Sequence, residues 1–149
     1  MKFRFVKLPA EPTAAFPNRK SILLPLLPVC IYNANNHAKL FHFRPMVDSG
    51  AGVNIFPGEV GQTLGLDIKR GGEQEIEAIN GEVFKSYRHE IVLEVGGWKF
   101  NSFACFAERD VFPVLGRDGF FDLFSIKFTY PKAEIELKSL VEPLKIYYH

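Results

Sequence analysis

Cysteine, histidine, one-sided charge and long apolar runs are all scarce in this chain, and each scarcity closes off a class of function. The two cysteines, Cys30 and Cys105, stand far apart in apolar surroundings. That argues against a disulfide framework or a Cys/His metal site and for buried free thiols. With 18 basic and 17 acidic side chains the formal charge is only +1, so no broad field exists to hold a polyanion or an acidic lipid surface, and neither nucleic acid nor membrane is an expected partner. The longest apolar run, Ile22 to Ile31, contains Pro25 and Pro28 and reaches about half the length of a membrane span. Met1 to Lys7 alternates charged with apolar residues and lacks the continuous apolar stretch of a secretory signal. A soluble, cytoplasmic protein with reduced thiols is expected. His37, His42, His89 and His149 are scattered, none beside a plausible nucleophile, and read as surface or strand positions. Gly71-Gly72 and Gly96-Gly97 lack the longer glycine pattern of a phosphate loop and read as turns. No internal repeat or low-complexity tract is present.

What the chain does have is an ordinary globular hydrophobic share, 47%, carrying 15 phenylalanines among 149 residues. That length fits one domain, 1–149. Period-two alternation recurs at Lys2 to Lys7, Phe41 to Arg44, Glu90 to Val95, Trp98 to Phe103 and Phe124 to Phe128, which predicts a mostly β chain. Asn80-Gly81 and Gly96-Gly97 carry two-residue turn signals, and Tyr130-Pro131-Lys132 separates two further alternating runs, so hairpins are expected more than crossovers. Two short helices are predicted, Gly58 to Leu66 and Asp118 to Phe124, each with an apolar pair four residues apart. The Phe-rich stretch Phe120 to Phe124 reads as helix and core packing. Five of the ten prolines fall in the first forty residues, which predicts a strand followed by an irregular arm over 1–40, a core over about 41–137 and a tail over 138–149.

One segment points to chemistry. In Met46-Val47-Asp48-Ser49-Gly50-Ala51 a carboxylate leaves an apolar strand directly into small residues, an uncommon place for a charge. Gly50 lets the backbone turn sharply, its N–H can donate to the carboxylate, and the Ser49 hydroxyl can lock the loop. Ser49 as a nucleophile is discounted, because the Gly-x-Ser-x-Gly elbow that would aim it is missing. Alone, Asp-Ser/Thr-Gly arises by chance in about one chain of this length in ten to twenty, and it also suits a surface turn between strands.

Context comes from Pro113-Val114-Leu115-Gly116-Arg117-Asp118, where a second apolar strand runs into glycine. An apolar-Asp-Ser/Thr-Gly-Ala loop followed by apolar-apolar-Gly-Arg-Asp resembles the retropepsin-like aspartic proteases, single-lobe relatives of pepsin with retroviral and bacterial members. The resemblance covers about Phe41 to Leu137, two thirds of the chain, with both signatures in order. It implies a closed, mostly antiparallel β-barrel of the acid-protease type with one or two short helices. In that fold the Asp48 loop and the strand ending at Gly116 cross beneath the active site. Ala78-Ile79-Asn80-Gly81-Glu82 occupies the place of the flap hairpin, with Ile79, Asn80 and Gly81 at its tip.

The chain has one Asp-Ser/Thr-Gly, and Asp67, Asp110, Asp118 and Asp122 lack that setting. The resemblance therefore implies a homodimer, with Asp48 from each of two copies activating water against a polypeptide substrate and with no cofactor or metal. It gives Ser49 a bond across the two-fold axis and Arg117 a structural ion pair near the interface. Two other readings stay open: a retropepsin-like module that dimerises or binds peptide without turnover, and an unrelated β-barrel in which Asp48 caps a turn.

Overall fold

A computed structural model describes residues 1–145; His149 and the end of the expected tail lie outside the described residues. The long alternating runs become the two longest strands. Val83–Val95 (β9) and Trp98–Ala107 (β10) pair antiparallel from Val95 opposite Trp98 to Ser86 opposite Ala107. Their turn has positive φ at both Gly96 and Gly97, the requirement of a tight two-residue connection that matches the twist of the strands.

Around this hairpin lie six more strands of one sheet: Val29–Asn33 (β4), Asn36–Phe43 (β5), Met46–Val47 (β6), Ile55–Pro57 (β7), Gly72–Glu77 (β8) and Val114–Leu115 (β11). Their order is β5-β4-β9-β10-β7-β11-β6, with β8 also on β9. The expected closed barrel is instead a curled half-barrel. Among the described residues its ends, β5 and β6, do not pair with each other, and an isolated antiparallel bridge joins Leu26, ahead of β4, to Met46 of β6. Two hydrogen bonds flank that bridge, Leu27 N–H to the Pro45 carbonyl and Val47 N–H to the Pro25 carbonyl, each 2.9 Å. Three strands form a second sheet, with Lys2–Arg4 (β1) and Phe124–Thr129 (β12) on either side of Glu134–Ser139 (β13). Val6–Pro9 (β2) pairs with Ser21–Leu24 (β3).

Residues 29–33, expected in the irregular arm, are a central strand: β4 lies between β5 and β9, and Val29, Cys30 and Ile31 are buried. The prolines that suggested irregularity, Pro25 and Pro28, stop short of it. Of the two expected helices, the first is present over Gly58–Thr63 (α1), with Val60 and Leu64 buried as their spacing requires. The second is absent. From Gly116 to Leu123 the chain makes successive turns, with Phe121 N–H to the Gly116 carbonyl and Asp122 N–H to the Arg117 carbonyl, both 3.1 Å. These bonds span one residue more than an α-helix does. The Asp122 carboxylate also accepts the Gly119 N–H at 3.1 Å and closes the turn.

Aromatic rings fill the centre. Phe56, Phe100, Phe106, Phe120 and Phe124 are fully buried, and Phe43–Phe56, Phe100–Phe124 and Phe120–Phe124 have ring centroids 4.9, 4.9 and 5.0 Å apart. Such offset and edge-on contacts add to the burial of area. Both cysteines are free and buried, and burial raises both thiol pKa values, which keeps them in the unreactive protonated form. Among the described residues no helix is long and apolar enough to cross a membrane. Because Ile31 is wholly buried in β4, Ile31→Ala is expected to destabilise by about 2–5 kcal/mol in urea unfolding, the range for emptying a core aliphatic site. An effect below 1 kcal/mol would return that segment to the periphery.

Candidate active site

β6 and β11 lie side by side and parallel, Met46 opposite Val114 and Val47 opposite Leu115. Each ends at a turn, so the residues after Val47 and those after Leu115 emerge together. The Asp48 N–H donates to the Leu115 carbonyl at 3.0 Å, and the Asp48 carbonyl accepts from Ala51 at 3.1 Å. The Gly50 N–H donates to the Asp48 carboxylate, Oδ1, at 2.9 Å. Both main-chain polar groups of Asp48 are thereby used in holding the loop, while its half-buried carboxylate keeps Oδ2 available.

The second loop braces the first. Arg117 N–H donates to the Ala51 carbonyl and Asp118 N–H to the Gly52 carbonyl, each 2.9 Å. The Arg117 guanidinium donates to the Ser49 carbonyl at 2.8 Å. Within one copy, among the described residues, Arg117 makes this backbone contact and pairs with no carboxylate; the ion pair expected near a two-fold interface concerns a second copy. A charged donor on a neutral carbonyl makes a stronger bond than a neutral one and stiffens the loop.

The sequence reading placed Leu115, Gly116, Arg117 and Asp118 next to Asp48, Ser49, Gly50 and Ala51, and the structure brings these two groups together. It missed the residue that joins them. Asn54 is fully buried; its Oδ1 accepts the Gly116 N–H at 2.9 Å and its Nδ2 donates to the Phe103 carbonyl at 3.0 Å. Its main chain adds a bond to the Asp118 carbonyl and one from Cys105. The only sequence signal is a polar residue in the apolar run Val53-Asn54-Ile55-Phe56. Gly116 could be nothing larger: a Cβ there would stand 2.3 Å from the Val53 carbonyl oxygen and 2.8 Å from that of Ala51.

Ile79, Asn80 and Gly81 do form the tip of a hairpin, between β8 and β9. The turn differs from the expected two-residue type. Gly81 N–H donates to the Ala78 carbonyl, Ala78 N–H to the Glu82 carbonyl, and only Gly81 has positive φ. This is a three-residue loop ending in a glycine bulge, and it leaves Ile79 wholly exposed. The Asn80 side chain accepts the Glu82 N–H at 3.0 Å and stiffens the tip. A cavity of about 610 Å³ lies elsewhere, between α1 with its following turn and the residues Tyr87, Glu108, Arg109 and Asp110; no residue of the Asp48 loop lines it.

No family model matches the sequence, and no curated protein matches it. Among solved structures it is similar to a retropepsin-like aspartic protease from Rickettsia conorii, with 16% identity, a TM-score of 0.58, and coverage of 91% of this chain and 97% of the other. The chain has the retropepsin-like fold. EIAV protease, solved with an inhibitor, is similar at 18% identity over 63% of this chain and 82% of the other, with a TM-score of 0.47. The retropepsin-like likeness first read from two short motifs is thus matched by the course of nearly the whole chain.

Within that fold the joint at Asn54 sets the loop geometry. Asn54→Ala strands a buried N–H at Gly116, at about 1–3 kcal/mol, and a part-buried carbonyl at Phe103, at about 1 kcal/mol, so a loss of roughly 2–4 kcal/mol is expected in denaturant unfolding. Gly116→Ala, with its Cβ against rigid backbone, is expected to cost at least as much. Wild-type stability in either variant would remove the joint from the account of the site.

Proposed function

We propose that this chain is an aspartic endopeptidase that acts as a homodimer, each copy supplying one Asp48. The observation that carries the proposal is the braced Asp48 loop on a retropepsin-like fold: a carboxylate held by Gly50 N–H at 2.9 Å and fixed from below by Leu115 and Arg117. One chain provides half of such a site, because a single carboxylate cannot serve as base and acid in the same step.

Two Asp48 carboxylates brought together share one proton, since like charges in contact cannot both ionise cheaply; this is the established behaviour of aspartic protease dyads in general. The ionised member takes a proton from water as the water oxygen attacks the peptide carbonyl carbon. The protonated member hydrogen-bonds the carbonyl oxygen and supports the charge that develops there. Collapse of the tetrahedral adduct breaks the C–N bond, and the departing nitrogen takes a proton from the dyad. No covalent intermediate forms, and the reading requires no cofactor.

Ser49 would bond the opposing loop across the two-fold axis, and Ala51 would keep the loop small enough for a backbone to approach. The tip residues Ile79, Asn80 and Gly81 would cover an extended polypeptide that pairs as an added strand, with Ile79 supplying apolar cover and excluding water. Arg117 and Asp118 act through the loops rather than on substrate. Free, buried, protonated thiols suit the cytoplasm, where we place the protein.

Asp48→Asn keeps the shape of the side chain and an acceptor for the Gly50 N–H, yet removes the acid and the base. Cleavage of a casein or peptide-library substrate is expected to fall by about 10²–10⁴-fold or more, with an unchanged circular dichroism spectrum. Specific activity of the wild type is expected to decline on dilution through the dimer dissociation range. Undiminished cleavage by Asp48→Asn would end this mechanism. Peptide binding by both forms without products from acidic to neutral pH would select a retropepsin-like binding module instead.

A further inference from the structure

The stretch that leads from β10 into β11 also grips the hairpin. Beyond Ala107 the chain runs through Glu108, Arg109 and Asp110 toward Pro113, whose carbonyl accepts the Met46 N–H at 2.9 Å, and then into the strand beneath Asp48. Along the way it touches β9 at successive heights. The Tyr87 hydroxyl donates to Glu108 Oε1 at 2.9 Å, a bond that raises the Tyr87 pKa. One step nearer the tip, Glu108 N–H donates to the Lys85 carbonyl at 3.0 Å. Nearest the tip, Arg109 Nη2 donates to Glu82 Oε2 at 2.9 Å, and its guanidinium carbon stands 5.1 Å from the centre of the Phe84 ring. Glu82 directly follows Gly81 and closes the tip through its carbonyl, which accepts the Ala78 N–H.

We infer that Arg109 is a positioning residue that latches the hairpin tip to the segment entering β11 and so limits how far the tip swings. The inference rests on the proteolytic reading, in which that hairpin covers the substrate. Arginine suits the task because one planar group can pair with a carboxylate and lie over a ring at once. The latch is weak: the Arg109 and Glu82 side chains are 47% and 54% exposed, and exposed ion pairs shift an equilibrium only about two- to fivefold. Weakness is what a cover that opens in every turnover requires, since a buried pair would hold it shut. Exposure also makes the latch sensitive to salt.

The test is backbone hydrogen exchange across residues 76–84 in the full chain, together with steady-state kinetics. Arg109→Gln and Glu82→Gln are each expected to speed exchange at the tip by about two- to fivefold and to raise KM more than they lower kcat. The double variant Arg109→Gln with Glu82→Gln should do no more than either single change, the mark of a shared interaction. Arg109→Glu combined with Glu82→Arg should restore part of the slow exchange, through the ion pair without the Phe84 contact. Arg109→Lys should restore part of it, keeping the charge and losing the planar contact with Phe84. Rising salt should speed tip exchange in the wild type and not in Arg109→Gln. Unchanged exchange in Arg109→Gln, or single effects that simply add in the double variant, would overturn the latch. Exchange needs no turnover, so loss of the proteolytic reading through Asp48→Asn and loss of the latch are separate results.

Discussion

Asn54 sits out of reach of solvent where four segments meet, and its amide and main chain are the fixed point from which the site is built. Its side chain spans β11 and β10, through Gly116 and the Phe103 carbonyl, and its backbone bonds Cys105 and Asp118. The two main-chain bonds need no particular side chain, but the buried Gly116 N–H would lack a partner without the amide, so an apolar side chain here would be costly. The position of the Asp48 loop follows from this anchor. β11 is held against Val53 and Ala51 at a distance only glycine tolerates, and β11 in turn receives the Asp48 N–H.

The Asp48 loop is therefore held mostly by main-chain contacts, with one charged donor, Arg117, among them. Beyond its bond to Gly50, the loop is held by carbonyls that accept from Ala51, Asp118 and Arg117. Fixing donors and acceptors before substrate arrives is how a small site avoids reorganising during reaction. Aromatic packing below supplies the rigidity: Phe56 lies in the strand next after Asn54 and touches both Phe43 and Phe106. Loop and core are consecutive in the chain.

What the sequence made legible was whatever is local. Asp48 to Ala51 and Leu115 to Asp118 are short contiguous strings, and strand alternation is a local period, so both could be read without coordinates. The tip at Ile79 to Gly81 was legible as a turn, though its bulge was not, because Asn-Gly serves either geometry. Helix at Asp118 to Phe124 was misread for an instructive reason. Phe120 and Phe124 are both buried, with centroids 5.0 Å apart, so the spacing foretold the contact and not the backbone that makes it. β4 was hidden by composition, since prolines just before a strand count against the segment that follows. Asn54 and the Arg109–Glu82 pair were invisible because their partners are distant in sequence, and a polar residue in a strand carries no label for what it will meet.

The placement of β1 has a consequence in time. Phe3 pairs with Ile135 and Lys2 with Glu136, so β1 belongs to a sheet whose middle strand is made after every other described strand. At typical synthesis rates that delay is on the order of ten seconds, during which β1 lacks its strand partner. Pairing across such a separation also makes folding slow once the chain is complete. Half-buried Phe3 and Phe5 are thus apolar surfaces that wait for β13 in the newborn chain.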